Sequence, residues 1–233
     1  MAKGFTPQEE TLYYRTADAV MAQLATANEA SELLDVVREA FARFDRAYDS
    51  APAAARAAVA CRAGCGTCCH HDVAVQAHEV FIAAEHIQRH FSPEELEAVI
   101  ARAAAHRAAY LASRNQPDRV LPRTPCVLLR EGSCSIYEGR PEICRAYHSN
   151  NLDGCIANLA AGYDRVDVKI EGLRGRMFAV MLAIDQAVEA AGFDDRAYDF
   201  GTALHEALTN SLCLVRWARR ESAFPDSFLE RED

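Results

Sequence analysis

Residues 61–70 read CRAGCGTCCH and place four cysteines, Cys61, Cys65, Cys68 and Cys69, within nine positions. Eight of the nine cysteines of the chain lie between residues 61 and 155, and the later four of these are Cys126, Cys134, Cys144 and Cys155. The Cys-x3-Cys-x2-Cys spacing can bring three sulfurs to one point. We therefore predict a fold that is organised around these cysteines.

The compartment of the protein bears on what these thiols do. The first ten residues, MAKGFTPQEE, lack the apolar stretch of a signal peptide, and no later run approaches the ~20 apolar residues of a membrane span. The sequence therefore predicts a cytoplasmic protein that does not partner a membrane. Thiols stay reduced in that compartment and an odd number of cysteines cannot all pair, so a metal site is favoured over a disulfide framework.

Composition and charge exclude further classes of function. The formal net charge of −9 argues against nucleic acid as a partner, because affinity for phosphate backbones depends on clustered Lys and Arg. No phosphate-binding loop, nucleophile elbow or pair of catalytic carboxylates stands out in the sequence. Whether the chain is an enzyme is left open, and any reaction must take its chemistry from a metal centre.

Most of the chain carries helical signals. Thr6, Pro7 and Glu9 form the start of a helix that we expect to run to about Ala27. Ser92 and Glu95 form a second capping box. A helical spacing of apolar residues over 31–48 predicts one buried face, made of Leu33, Leu34, Val37 and Phe41. Long helical patterns return over residues 164–191 and 196–220.

The middle of the chain differs, because LPRTPCVLLREGSCSIYEGRP, residues 121–141, is rich in Pro and Gly and predicts a small β-hairpin. A three-residue loop, Arg130–Gly132, with Gly132 in the left-handed conformation would place Leu128 opposite Cys134. Cys126 and Cys134 would then share a face of the hairpin, whereas a two-residue loop would put them on opposite faces.

These patterns predict a mainly α protein, a helical domain with one short β-hairpin, organised around a cysteine-liganded metal centre. We expect a single domain over residues 1–233. It would comprise N-terminal helices over 1–58, a cysteine-cluster region over 59–160 and C-terminal helices over 161–233.

Several residues near the cysteines are of the kind that stabilises ionised sulfur, which is the form that binds metal. Gly64 and Gly66 suit a tight loop whose N–H groups can donate to sulfur. Cys144 falls at a predicted helix N-terminus, where the helix dipole lowers a thiol pKa. Three arginines lie close in sequence to the later cysteines and could offset the charge of several thiolates: Arg123, Arg140 and Arg145.

The segments CRAGCGTCC and GSCSIYEGRPEICRAYHSNNLDGC resemble the bacterial cysteine-cluster family named after YkgJ. The resemblance covers residues 61–155 and implies zinc or iron chelation. The family has eight characteristic cysteines, and their positions fall on Cys61, Cys65, Cys68, Cys69, Cys126, Cys134, Cys144 and Cys155. A related and larger group, the flagellin lysine N-methylases, shares the cysteine pattern and implies a [4Fe–4S] cluster, but this chain is too short for the extra region of those enzymes.

The expected function is therefore metal binding through up to eight cysteine thiolates, with a [4Fe–4S] cluster or zinc as the cofactor. Of the two, we favour the iron–sulfur cluster slightly over zinc. Adjacent Cys68 and Cys69 are hard to fit to one tetrahedral ion, because neighbouring side chains usually diverge. The alternatives are an iron–sulfur-dependent protein methyltransferase and a metal-free thiol redox switch. A metal ion or cluster is the expected partner, and a protein partner is left open.

Other conspicuous residues have simpler interpretations. Cys213 lies between two leucines of a predicted helix and is expected to fill the core. His70, His71 and His148 are close to cysteines in sequence and could be metal ligands, but such histidines are more often surface or capping residues. The histidines at positions 78, 86 and 90 have no acidic or cysteine partner at helical spacing and are predicted to face solvent. Tyr137, Glu138 and Arg140 could form a substrate site, but we expect them to fix the turn after the hairpin.

Overall fold

The computed structural model describes residues 4–62, 64–114, 124–162, 164–225 and 227. Within these ranges the fold is mainly α, as predicted, and none of the helices there has the length and apolar character needed to cross a membrane. The helices of the described ranges are α1 (Pro7–Leu24), α2 (Ala30–Asp49), α3 (Ala53–Ala57), α4 (Ala77–His90), α5 (Pro93–Arg114), α6 (Glu142–Ala146), α7 (Leu152–Ala161), α8 (Arg174–Ala190), α9 (Phe200–Thr209) and α10 (Leu212–Ala218). The strands there are β1 (Ala74–Val75), β2 (Leu129–Arg130), β3 (Ser133–Cys134) and β4 (Tyr198–Asp199).

The residues group into two compact units, each made of two separate stretches of sequence. Unit 1 contains Met1–Arg62 and Glu142–Asp195, and unit 2 contains Ala63–Pro141 and Arg196–Asp233. The chain passes from unit 1 to unit 2 after Arg62, the residue that follows Cys61, and returns to unit 1 after Pro141, three residues before Cys144. Whether the two units fold as the single domain expected from the sequence stays a prediction.

Unit 1 is a set of helices in which α1, α2 and α6 pack on α8. The capping box of α1 is confirmed, with Thr6 at the N-cap and Glu9 in the first turn, although the helix ends at Leu24 rather than at about Ala27. The predicted apolar face of α2 is buried as well. Local capping and periodicity were sufficient to predict these two helices, because both signals act within one or two turns.

The helix predicted to begin at residue 164 begins ten residues later, at Arg174. The cause is Asn158 of α7, whose side-chain oxygen accepts the N–H groups of Arg165 and Val166 at 2.8 Å each. Its side-chain nitrogen donates to the carbonyl oxygen of Val166, also at 2.8 Å. These bonds hold residues 165–166 outside a helix, and Asn158 is itself buried.

Unit 2 packs α4 and α5 against α9, and the indole of Trp217 from α10 lies in its core. The ring centre of Phe81 lies 5.5 Å from that of the Trp217 indole and 5.1 Å from that of Phe224. The single helical pattern predicted over 196–220 contains β4 at its start, followed by the two helices α9 and α10. β4 pairs antiparallel with β1, and this pair was not predicted because its strands lie far apart in sequence.

The predicted hairpin forms in unit 2, but the predicted register is wrong. Leu129 lies opposite Cys134 and Arg130 opposite Ser133, so the loop has two residues instead of three. Both loop residues are left-handed, Glu131 at φ 50° and Gly132 at φ 78°. A non-glycine residue rarely adopts this conformation, which is why the sequence favoured the longer loop.

Candidate metal centre

The first cysteine block of unit 2, which contains Cys65, Cys68 and Cys69, packs directly on the turn of the hairpin. Gly64 is left-handed at φ 81°, as its predicted place in a tight loop requires. A Cβ added to Gly66 would lie 2.7 Å from the carbonyl oxygen of Gly132 and 2.7 Å from a methyl carbon of Leu129. No side chain fits at this position, so the absence of a Cβ at Gly66 allows the loop and the hairpin to meet.

A backbone hydrogen bond joins the first cysteine block to the second, which contains Cys126 and Cys134. The N–H of Cys126 donates to the carbonyl oxygen of Cys69 at 2.7 Å. Cys68 and Cys69 lie in a short 3-10 turn, Thr67–His70, and the ring nitrogen Nδ1 of His70 contacts the carbonyl oxygen of Gly66 at 3.2 Å. His70 therefore caps this turn, in agreement with its simpler interpretation.

The thiols of Cys68 and Cys69 converge, although adjacent side chains were expected to diverge. A hydrogen bond with Cys69 raises the pKa of the Cys68 thiol strongly, and desolvation and the like charge of Cys69 act in the same direction. The 3-10 turn explains the convergence, because its backbone is wound tightly and does not alternate side chains as a strand does. The two sulfurs can therefore act at the same centre.

Cys126 and Cys134 are two more thiols of unit 2, and each sulfur accepts a backbone N–H from two residues further along the chain. The donors are Leu128 for Cys126 and Ile136 for Cys134. Cys126 precedes β2 and does not belong to it, so the alternation of side chains along a strand does not set it on the face opposite Cys134. Burial raises the pKa of Cys126 to about 11, and the charges of Cys134, Asp199 and Cys68 add to this, whereas the Leu128 N–H opposes it. The pKa of Cys134 is raised by burial and by Cys68.

We define the thiol cluster as Cys68, Cys69, Cys126 and Cys134. These four thiols come from two segments of unit 2 and influence one another electrostatically. Cys65 lies in the same loop as Cys68, and its sulfur is 3.8 Å from the hydroxyl oxygen of Thr67. Raised pKa values keep neighbouring thiols protonated unless a cation replaces the protons, and amide N–H groups aimed at sulfur favour the ionised form. This donor set therefore suits a thiophilic metal.

The three remaining predicted ligands belong to unit 1. The N–H of Ser149 donates to the sulfur of Cys61 at 3.3 Å, and the thiol of Cys155 donates to the Ser149 hydroxyl at 3.0 Å. Cys144 lies in α6, within its first turns, as predicted. The structure therefore places five of the eight predicted ligands in unit 2 and three in unit 1, and their action as one ligand set stays a prediction.

The three arginines expected to offset thiolate charge differ in their surroundings. Arg140 lowers the pKa of both Cys68 and Cys134. Arg145 is buried with its guanidinium carbon 5.2 Å from the ring centre of Phe41, and its charge acts on Glu142. Arg123 lies outside the described residues.

Two histidines differ from the sequence-based expectation. His78 was predicted to face solvent, which is wrong, because it is fully buried on α4. His106 was not singled out at all, yet its Nε2 atom lies 2.8 Å from a carboxylate oxygen of Asp199, and the Thr124 hydroxyl lies 3.5 Å from its Nδ1. Asp199 begins α9 by accepting the N–H of Thr202 at 2.8 Å, and its charge acts on Cys126. The Asp-x-x-Thr spacing in the sequence could have predicted Asp199 as a helix cap, but no sequence pattern indicated its hydrogen bond with His106.

Cys213, which lies outside the family pattern, is buried as expected. Its sulfur is 3.7 Å from the carbonyl oxygen of Glu206, and burial raises its pKa to about 11. It is a core residue of unit 2 whose sulfur contacts Glu206, so it provides a comparison thiol for experiments.

Comparison with known families places this geometry in context. Residues 60–163, less than half of the 233-residue chain, match the family model described as "CxxCxxCC: Putative zinc- or iron-chelating domain". This match confirms the resemblance to the cysteine-cluster family, and the relation to flagellin lysine N-methylases stays a prediction. No curated protein and no solved structure matches the chain.

Proposed function

We propose that the chain, whose residues 60–163 belong to the cysteine-cluster family of zinc- or iron-chelating domains, binds its metal at the thiol cluster of unit 2. The observation that carries this proposal is the junction of the two cysteine blocks. Cys126 donates its N–H to Cys69, and the sulfurs of Cys126 and Cys134 each accept an amide N–H. A group of core cysteines would not need donors aimed at sulfur.

Four thiols from two segments match the ligand number of a closed zinc site and of a [4Fe–4S] cluster. The convergence of Cys68 and Cys69 supports their use at one centre and removes the objection from sequence adjacency. We propose zinc or an iron–sulfur cluster as the cofactor. The contribution of Cys61, Cys144 and Cys155 to the same centre is part of this proposal that the experiments below must test. When bound, the metal would cross-link the hairpin and the cysteine loop.

The experiment that tests this proposal is metal analysis of protein purified without oxygen, combined with a visible absorption spectrum. About four iron atoms with labile sulfide would establish a cluster. One or two zinc ions in a colourless protein would establish closed thiolate sites. Protein that contains no metal and takes up neither zinc nor iron on reconstitution would overturn the proposal and leave the thiol redox switch.

Serine variants test whether metal binding depends on the thiol cluster or only on the number of cysteines in the chain. Cys134→Ser and Cys126→Ser are expected to lose most of the bound metal, because each removes a sulfur that the backbone orients. Cys213→Ser is the matched control, since it changes a buried cysteine of the same unit and should retain the metal. Equal metal contents in all three variants would contradict the assignment to the thiol cluster.

Variants in unit 1 then measure the contribution of the other predicted ligands. Cys61→Ser and Cys155→Ser are each compared with the wild-type metal content. A loss equal to that of Cys134→Ser would extend the ligand set to unit 1, and an unchanged content would restrict it to unit 2.

A further inference from the structure

Two histidines lie one turn apart at the end of α4, with their rings in contact. The ring centres of His86 and His90 are 4.4 Å apart, and the two rings are stacked with an angle of 29° between their planes. Residues four apart on a helix share one face, and two histidines at this spacing can bind one metal ion. We define the histidine pair as His86 and His90.

A hydrogen bond to the backbone sets the orientation of His90. Its Nδ1 atom lies 2.8 Å from the carbonyl oxygen of His86. Because a carbonyl oxygen only accepts, Nδ1 carries the proton in this bond, and the lone pair of the neutral ring is on Nε2. A histidine that binds metal through one nitrogen commonly donates its other N–H in this way, which fixes the tautomer and the direction of the ring. His90 is exposed, so an ion can reach it from solvent.

His86 packs against the turn that follows the hairpin. A Cβ added to Gly139 of this turn would lie 2.6 Å from the Cβ of His86 and 3.2 Å from its Nδ1. The Nδ1 edge of this half-buried ring therefore faces the turn, and Nε2 is the more distant nitrogen. In both histidines Nε2 is thus the atom that the surroundings favour as a ligand.

Helix α4 is a rigid support for the histidine pair. Val80, Ala83 and Ile87 of this helix are fully buried, and ligands on a packed helix keep their positions better than ligands on a loop. The C-terminal end of a helix also carries partial negative charge, which favours a bound cation there. Arg89, the positive side chain next to His90 in sequence, pairs with Glu85 at 2.8 Å.

Two imidazole nitrogens favour a particular class of metal. Nitrogens bound to one ion at ~2.1 Å each lie roughly 3–3.5 Å apart, and rings with centres 4.4 Å apart reach this separation by small rotations of their side chains. Imidazole suits Zn²⁺, Cu²⁺ and Ni²⁺, whereas Mg²⁺ and Ca²⁺ prefer oxygen ligands. Two protein ligands leave the other positions of the ion to water, so the metal can exchange, unlike that of a closed four-thiolate site.

We propose that the histidine pair is a second metal site of unit 2, which binds an exchangeable divalent transition metal through the Nε2 atoms of His86 and His90. This site differs from the thiol cluster in its residues and in its donor atoms, and it does not depend on the proposed function. The sequence-based expectation for these histidines considered acidic and cysteine partners, whereas the partner of each is the other histidine.

The test is a calorimetric titration of Ni²⁺ into the full-length protein, purified without oxygen and carrying no histidine tag. The wild type is expected to bind Ni²⁺. His86→Gln and His90→Gln should each lower this affinity at least about tenfold, since the loss of an outer partner alone costs a metal site that much. His205→Gln is the matched control and should keep the wild-type affinity, because His205 is a half-buried histidine of α9 with no histidine one turn away.

A double variant separates the spacing of the histidines from their number. His90→Gln combined with Gln88→His keeps two histidines on α4 but places them two residues apart, where they do not share a face. It should bind Ni²⁺ no better than His90→Gln alone. Wild-type affinity in this double variant, or in either single variant of the histidine pair, would overturn the inference.

A second titration reports on the thiol cluster in the same proteins. Thiolate complexes of Co²⁺ absorb strongly in the near ultraviolet, and this absorption should develop equally in metal-free wild type, His86→Gln and His90→Gln. Loss of Ni²⁺ binding with the Co²⁺ absorption intact would support the histidine pair, whereas equal loss of both would assign the Ni²⁺ to the thiols and contradict it. If the wild type takes up no Co²⁺, Zn²⁺ or iron at its thiols, the proposed function is wrong, and the Ni²⁺ titrations still decide the histidine pair.

Discussion

The hydrogen bond between His106 and Asp199 in unit 2 is expected to make the stability of the protein depend on pH. This bond raises the pKa of His106 above its ordinary 6.5; burial opposes the shift, and the charges of Asp199 and Asp72 support it. Burial raises the pKa of Asp199, but His106 and the donors of Thr202 outweigh it, and the net pKa is lowered. The folded structure therefore favours the charged form of both groups.

The direction of the effect follows from the raised pKa of His106. The stabilisation is fully present below the ordinary pKa of histidine and is lost as pH rises through the higher pKa of the folded state. We expect His106→Gln to lower the free energy of unfolding by about 1–2 kcal/mol at pH 6, with a smaller difference from the wild type at pH 8–9. Urea titrations followed by circular dichroism at each pH measure this difference.

His90→Gln serves as the control for this series, because His90 lies on the exposed end of α4. Its stability should follow the wild type at every pH. A difference between wild type and His106→Gln that stays constant from pH 6 to 9 would mean that the charge on His106 contributes nothing.

Gly66 is the residue on which the meeting of loop and hairpin depends. Its φ of −101° is ordinary for any residue, so the requirement for glycine there is one of space alone. Gly66→Ala forces a Cβ against backbone atoms of Gly132, and we expect it to destabilise the protein by about 1–3 kcal/mol and to weaken Co²⁺ binding. Gly132→Asn is the comparison, since its Cβ meets only an ordinary contact at 3.6 Å and Asn tolerates the left-handed conformation. Equal Co²⁺ affinities in both variants would contradict this account.

At the scale of elements, the sequence predicted the features that are encoded locally. The capping boxes at Thr6 and Ser92 are present, since each is a reciprocal pair of hydrogen bonds across three residues. The pairing of β1 with β4 and the bond from His106 to Asp199 could not be predicted, because the partners lie about a hundred residues or more apart and nothing local distinguishes them. The predicted register of the hairpin was wrong for a single reason, because Glu131 adopts the left-handed conformation.

The start of α8 provides a test of packing between elements of unit 1. A Cβ added to Gly175, in the first turn of α8, would lie 2.6 Å from the carboxyl carbon of Glu9 and closer still to one of its two oxygens. The same Glu9 side chain accepts the N–H of Thr6 at 2.7 Å, so it cannot move away freely. A carboxylate at a helix N-terminus is also favoured by the helix dipole.

We expect Gly175→Ala to lower the melting temperature measured by circular dichroism, with a cost of about 2–3 kcal/mol from overpacking. Glu9→Ala should cost about 1 kcal/mol through loss of the cap and of the dipole interaction. The double variant decides the cause. If the clash with Glu9 is responsible, the two costs are strongly non-additive, because removing the carboxylate makes room for the new methyl group. Additive costs would refute the clash.

At the scale of the whole molecule, the sequence predicted the mainly α class and the resemblance to a cysteine-cluster family; the structure confirms the first in the described residues, and the family match over residues 60–163 confirms the second. It did not predict how the thiols are distributed. Cys61 and Cys65 are four positions apart in sequence yet belong to different units, because the chain crosses from one unit to the other at Arg62. Such a crossing depends on packing of distant segments, and residue spacing alone does not record it.

Loss of the metal should therefore act on stability and not only on the site. In the thiol cluster the metal would replace protons, and the pKa values of Cys68, Cys126 and Cys134 are raised, so without metal these three thiols stay protonated in the folded state. We expect the melting temperature to fall by roughly 10 °C or more when the metal is removed by a strong chelator, since binding to the folded state alone stabilises it by mass action. Re-addition of zinc or iron should restore the original value. Metal analysis of the same samples must confirm that the metal has left. Equal melting temperatures in protein with and without metal would show that the folded state does not depend on the centre, and the cysteines would then be cargo ligands on a fold that is stable by itself.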